Sequence, residues 1–113
     1  MNPAKYDLSL YRGDSVRMQF RLWADPDRTQ PIDLDGVMAA SQIRTRPDGD
    51  ILAEFVCTVT LPNVVDVSLD SDASRFNAKK GAWDLRLAWP GGDVLTPVAG
   101  AVKVKPDITL EAP

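Results

Sequence analysis

The sequence predicts an all-β fold: a single antiparallel β-sandwich of seven to eight strands with one short helical turn. Three observations indicate this class. Apolar and polar residues alternate with a period of two along several runs, as in strands that are buried on one face only. Clusters of Pro, Gly, Asp and Asn separate these runs at regular spacing. The chain of 113 residues suffices for one hydrophobic core and is too short for two, so residues 1–113 are predicted to form one domain.

The clearest strand predictions come from three alternating runs: residues 15–23 (SVRMQFRLW), 37–44 (VMAASQIR) and 82–89 (AWDLRLAW). In a strand, the side chains of every second residue point to the same face. Each run therefore has one inward-facing set: Val16, Met18, Phe20 and Leu22 in the first, Val37, Ala39, Ser41 and Ile43 in the second, and Trp83, Leu85, Leu87 and Trp89 in the third.

Four further strands are predicted at residues 53–61, 63–69, 93–100 and 101–110. Pro97 has no backbone N–H to donate to a ladder, so we expect its strand to lie at a sheet edge. Gly100 is expected to separate the last two strands.

The remaining segments are predicted to be turns, tails and one short helix. Residues 70–81 are the only helical candidate, with Asp70 or Ser71 as the cap of one or two turns. Residues 1–5 and 110–113 are predicted to be short tails that become ordered on assembly.

The tetrapeptide RGDS at residues 12–15 matches a known integrin-binding motif. It directly precedes a strongly alternating strand, so we interpret it as a turn between strands. Gly13 is expected to adopt a positive φ, and Asp14 or Ser15 to bond the local backbone.

Composition excludes several classes of function. The chain has no histidine, which rules out Ser-His-Asp and Cys-His catalysis and His-ligated zinc. Cys57 lies within an apolar strand and is expected to be a buried packing residue. A net charge of -3 offers no basic surface for nucleic acid. The first residues lack the apolar stretch of a signal peptide, and no apolar run approaches the ~20 residues of a membrane-spanning helix.

The sequence also contains residues of the types found in calcium sites and in sugar-binding sites. Closely spaced aspartates, such as Asp25 with Asp27 and Asp33 with Asp35, could bind Ca²⁺, but no EF-hand spacing is present, and aspartates in turns usually bond their own backbone. Tryptophans on an outer face could bind sugars, but two of the three are predicted to point inward; Trp23, which breaks the strand phase, is the better candidate for an exposed contact. We therefore expect no cofactor and no metal.

The motifs form a series that runs from LYRGDSVRMQFRLW through PIDLDG and AASQIRTRPDGDIL to GAWDLRLAWPGGDVLTPVAGAVKVKPDIT. This series resembles that of a small family of tailed-bacteriophage virion proteins, the minor tail proteins. It covers residues 10–109 and is similar to the N-terminal immunoglobulin-like domain of phage upper-baseplate proteins. Those relatives continue into long C-terminal regions. Since this sequence stops at Pro113, we expect a freestanding adaptor or accessory domain.

The resemblance implies a non-enzymatic structural protein of the virion, made in the host cytoplasm and placed at the tail tip or baseplate. Its partners would be other tail or capsid proteins, with several symmetric copies per particle and neither nucleic acid nor membrane among its ligands. The alternatives are a capsid decoration or minor capsid protein and, from another class, a carbohydrate-binding module. The residues predicted to form the protein interface are Trp23, Asp25, Asp27, Arg28, Pro90 and Asp93.

Overall fold

A computed structural model describes residues 3–106 of the chain. Within that range the protein consists of eight β-strands. In chain order these are β1 (Ala4–Lys5), β2 (Leu8–Tyr11), β3 (Val16–Arg21), β4 (Met38–Arg44), β5 (Ile51–Thr60), β6 (Val64–Leu69), β7 (Lys80–Ala88) and β8 (Val94–Lys105). The predicted tail at residues 110–113 lies outside the described residues.

The strands form one continuous sheet that curls into two layers around a shared core. Their order is β1-β8-β7-β4-β5-β6-β3, and β2 also pairs with β8. The long strand β5 belongs to both layers, since residues 51–55 pair with β4 and residues 56–60 pair with β6. The predicted all-β sandwich is therefore confirmed.

The core is made of the alternating residues that the sequence pattern predicts to point inward. Ile43, Leu85 and Leu87 are completely buried, and Trp83 is 3% exposed. Each such side chain stabilises the fold by about 1.5–3 kcal/mol relative to leaving it in water. Phe20 from β3 and Phe55 from β5 pack against Trp83 with ring centroids 6.0 Å away in both cases, which joins the two layers through aromatic contacts.

The sheet is mixed rather than purely antiparallel. β1 and β2 both pair with β8 in parallel. The RGDS turn after Tyr11 carries the chain into the other layer, where β3 pairs with β6. β2 therefore has no hairpin partner in β3 and lies beside the last described strand instead. Ala4 and Lys5, which the sequence analysis assigns to a tail, form β1.

β8 continues through Gly100, so the prediction of two separate strands there was wrong. A side chain at Gly100 would overlap the carbonyl group of Tyr6; the glycine is needed because the N-terminal segment approaches closely. Among the described residues, positions 94–97 have a strand partner on one side only, so Pro97 lies at an edge as expected; from Val98 onward β8 pairs with β1 and β2 as well as with β7. Pro97 itself lies at the irregularity where the β7–β8 register shifts.

The predicted helical turn is absent, and no residue from 3 to 106 is in a helix. Asp70 does act as a cap, since its carboxylate accepts a hydrogen bond from Ala73 N–H at 2.9 Å. The cap is followed by one hydrogen-bonded turn, closed by Ser74 N–H and the Asp70 carbonyl at 3.2 Å, which does not continue into a helix. Further on, the carbonyl of Phe76 accepts a hydrogen bond from Arg12 Nε at 3.1 Å. A single turn cannot offset the cost of helix nucleation.

We predict that Gly100→Ala destabilises the fold by about 2 kcal/mol, because the added methyl group displaces the Tyr6 carbonyl. Urea denaturation measures the loss. Gly91→Ala is the matched control, since nothing lies within 4 Å of a side chain at that position. Equal stabilities for the two variants would contradict the close approach of the N-terminal segment to β8.

Candidate functional site: the loop end

Three connections meet at one end of the sandwich, which we call the loop end: residues 22–37, 61–63 and 89–93. The main chain joins the first two, since Leu34 N–H donates to the Pro62 carbonyl at 3.0 Å. The third is joined by the Trp89 indole N–H, which donates to the Asp33 carbonyl at 2.9 Å. The loops therefore form one surface.

Asp25 organises the tip of the longest loop. Its carboxylate accepts hydrogen bonds from Thr29 N–H at 3.0 Å and from Gln30 N–H at 2.9 Å, and from the Thr29 hydroxyl. These hydrogen bonds lower the pKa of the Asp25 carboxyl below its ordinary value of 3.8. The bond from the Thr29 hydroxyl has the largest effect, followed by the bond from Gln30 N–H. Arg28 adopts a φ of 59° within this turn. The carboxylate is thus occupied within its own loop.

The PIDLDG segment and the WPGGD turn are docked against each other. Leu34 is 1% exposed, while Asp33 and Asp35 stay at the surface. Gly36 has a φ of +77°, and a Cβ there would come within 2.9 Å of the Pro90 ring. Glycine is required at this position both by its conformation and by the contact with proline.

Beside the loops, the outer face of the sheet carries an apolar row, formed by Met38, Ala88 and Val94. These residues are direct cross-strand partners on β4, β7 and β8. Met38 is 78% exposed and Val94 is 54% exposed. Adjacent exposed apolar side chains mark surfaces that bind other proteins more often than single ones do.

All six predicted interface residues lie at the loop end. Asp27, Arg28, Pro90 and Asp93 are exposed, whereas Trp23 and Asp25 are half-buried. The backbone of Trp23 is held in a bridge with Pro31. Sequence reasoning missed Met38 and Val94. The alternation along β4 could have identified Met38, because it predicts that Ala39 points inward and therefore that Met38 points outward.

The other candidate residues have structural roles. Trp83 is a core residue, as predicted, and its indole N–H donates to the Tyr6 carbonyl at 2.7 Å. Cys57 is half-buried rather than buried, and burial raises the pKa of its thiol. Among residues 3–106, no group of three Asp, Glu, Cys or His side chains is placed to hold a metal ion.

The RGDS segment is a turn, and Gly13 has the expected positive φ of 89°. The side chain that bonds the backbone of this turn is that of Ser74, which is distant in the sequence, rather than the predicted Asp14 or Ser15. Gly13 N–H donates to the hydroxyl of Ser74 at 3.0 Å, and that hydroxyl lies 2.8 Å from the Asp14 carbonyl. Ser74 is completely buried. With Arg12 bonded to Phe76, the motif is built into the fold and is not presented as an integrin-binding loop tip.

Apart from the loop end, a concave region with a volume of about 780 Å³ lies on the outer face of β4, β7 and β8. Its charged lining includes Arg44, Arg46, Asp84 and Arg86. Of the residues from 3 to 106, Trp83 is the only aromatic one that borders it, and Trp83 is buried. This part of the chain therefore offers the region no exposed ring on which a sugar would stack.

No protein-family model and no curated protein sequence matches this chain. In the described part of the chain, no helix is long and apolar enough to cross a lipid bilayer.

We predict that the Asp25 turn loses its hydrogen bonds on acidification. The folded-state pKa is lowered, so the bonds stabilise the loop above pH 3.8 and are lost as the pH falls through the lower folded-state value. NMR titration should show the Thr29 and Gln30 amide signals moving with a midpoint below 3.8.

Two variants test this assignment. Asp25→Asn should remove the titration of both amide signals, whereas Asp27→Asn, at an exposed position in the same loop, should leave it unchanged. A midpoint above the ordinary value in the unaltered chain would contradict the stabilising role of the carboxylate.

Proposed function

We propose that this chain is a non-enzymatic structural protein of a bacteriophage particle, most specifically a minor tail protein that acts as an adaptor at the tail tip or baseplate. It works through protein–protein contacts made by the loop end. The observation that carries the proposal is the ordered series of motifs from residue 10 to residue 109, which resembles the virion family.

The placement of two of those motifs supports this role. PIDLDG and WPGGD are far apart in the sequence, yet Trp89 bonds the Asp33 carbonyl at 2.9 Å and Pro90 packs on Gly36. They form one surface together with the row of Met38, Ala88 and Val94. An apolar row beside polar loops supplies both kinds of contact that protein interfaces use, apolar burial and hydrogen bonding.

The internal bonding of the loops favours binding without reordering. The hydrogen bonds of Asp25 and Trp89 and the packing of Pro90 on Gly36 connect the loops within one chain, and such preorganisation reduces the conformational entropy lost on association. A typical stable interface buries about 800 Å² per partner. A small domain can meet that requirement with one end, and symmetric repetition around a tail axis multiplies the effect.

The location of the protein tests the proposal directly. We expect a reconstruction of purified particles, with labelled antibody as a cruder substitute, to show the chain at the tail tip or baseplate. Density over the capsid lattice would favour the alternative, shell decoration. Absence from the particle would overturn both virion assignments.

We predict that Met38→Asp combined with Val94→Asp lowers incorporation into particles at least about tenfold, because desolvating two carboxylates at an apolar contact is unfavourable. Quantitative mass spectrometry of purified particles measures incorporation. Both side chains are exposed, so the fold should be retained, as checked by thermal denaturation. Val56→Asp, at a 66% exposed position on β5, is the control that should still be incorporated.

A further inference from the structure

Within residues 3–106, β3 pairs only with β6, so its other edge has no strand partner in this part of the chain. The same ladder continues where Leu22 N–H donates to the Asn63 carbonyl at 2.8 Å. In an antiparallel strand, the N–H and C=O groups of one residue point to one side and those of the next residue point to the other side. Since Leu22 bonds toward β6, the backbone groups of Arg17, Gln19 and Arg21 point away from β6. These groups form a hydrogen-bonding edge with which no described strand pairs.

The inner side of this edge is apolar and incompletely covered. Met18 and Phe20 are only half-buried, and Tyr6 remains 49% exposed although its ring packs edge-on against Phe20 at a centroid distance of 5.7 Å. A groove of about 450 Å³ runs between β1 and β3 over these side chains. An added strand would cover them with every second residue.

The outer side of the edge is cationic. Arg17 and Arg21 are exposed, and Lys5, which forms an ion pair with Asp7 at 3.7 Å, lies across the groove from Arg17. Between the arginines, the Gln19 amide donates to Asp66 at 2.9 Å. On a chain with a net charge of -3, this edge selects a strand with acidic residues opposite the arginines.

Together these two sides define the sequence that would fit. Opposite residues 17–21, an added strand needs the order acidic, apolar, polar, apolar, acidic. The chain carries that order at residues 107–111, which read Asp-Ile-Thr-Leu-Glu. The order is the same in both directions, so it fits parallel or antiparallel addition.

We propose that this edge of β3 binds residues 107–111 of a second copy of this chain, by strand addition. Residues 107–111 lie outside the described range and enter through their sequence alone. Ile108 and Leu110 would cover Met18 and Phe20, and the acidic residues at 107 and 111 would face the two arginines. The inference concerns self-association and does not depend on the proposed role in a virion.

Chain connectivity favours a second copy over the same chain. Five antiparallel ladders lead from β8 to β3, so the two strands run in opposite directions. β8 ends at Lys105 beside Tyr11, close to the turn that leads into β3. Parallel pairing with β3 of the same chain would therefore leave Pro106 alone to reverse the direction of the chain, whereas the shortest hairpin connections use two residues. Antiparallel pairing would place Asp107 beside Arg21, which lies about 17 Å along β3 from the start of that strand. Pro106 alone cannot cover this distance, because one extended residue spans only ~3.4 Å.

Charge reversal tests the proposal on the full chain by analytical ultracentrifugation. We expect the unaltered chain to self-associate with increasing concentration. Arg17→Glu with Arg21→Glu, and separately Asp107→Arg with Glu111→Arg, should each weaken association by about tenfold or more. An equimolar mixture of the two variants should associate again, since each then carries a strand that complements the edge of the other.

Controls separate this contact from general charge effects and from misfolding. Lys79→Glu with Lys80→Glu changes the net charge as the arginine variant does and should leave association intact. Ile108→Asp with Leu110→Asp, which alters no described residue, should dissociate the copies. A monomeric unaltered chain, failure of the mixture to associate, or dissociation by the lysine control would each overturn the proposal.

Discussion

The hydrogen bond from the Trp83 indole to the Tyr6 carbonyl, 2.7 Å long, ties the N-terminal strands to the centre of the sandwich. An indole N–H in the core requires an acceptor, since leaving it unpaired would cost about 1–3 kcal/mol. The acceptor comes from a segment that can approach only because Gly100 has no side chain. Around the same indole, Phe20 and Phe55 bring the two layers into contact. One side chain therefore joins the N-terminal segment, β3, β5 and β7.

Period-two alternation carried most of the information about the fold. It identified the inward faces of β3, β4 and β7, because burial on one face of a strand requires an apolar residue at every second position. Parallel pairing produces no such pattern in the sequence. Nothing in the residues around Ala4 indicates that they lie beside β8, and two residues are too few to alternate. Gly100 was misread for a related reason: a glycine that ends a strand and one that admits a neighbouring segment look the same in sequence.

The candidate site was predictable in outline and not in its bonding. Proline and aspartate clusters located the loops, and the all-β topology brought them to one end. Asp25 was predicted as a contact residue, but its carboxylate is bound within the turn, so its contribution is to loop shape. Ser74 was not singled out at all, although it holds Gly13 of the RGDS turn from 61 residues away along the chain. Long-range side-chain bonds of this kind depend on packing that the sequence does not display locally.

The parallel pairing of β1 and β2 with β8 also has a mechanical consequence. In the described part of the chain this ladder runs from Ala4 to Lys105, two residues at opposite ends of neighbouring strands that run in the same direction. Tension applied between these two points acts along the strands, so the hydrogen bonds of the ladder are loaded together in shear. Strands pulled from one end of an antiparallel hairpin would instead open one bond at a time. The domain is therefore built to resist stretching between its first and last strands.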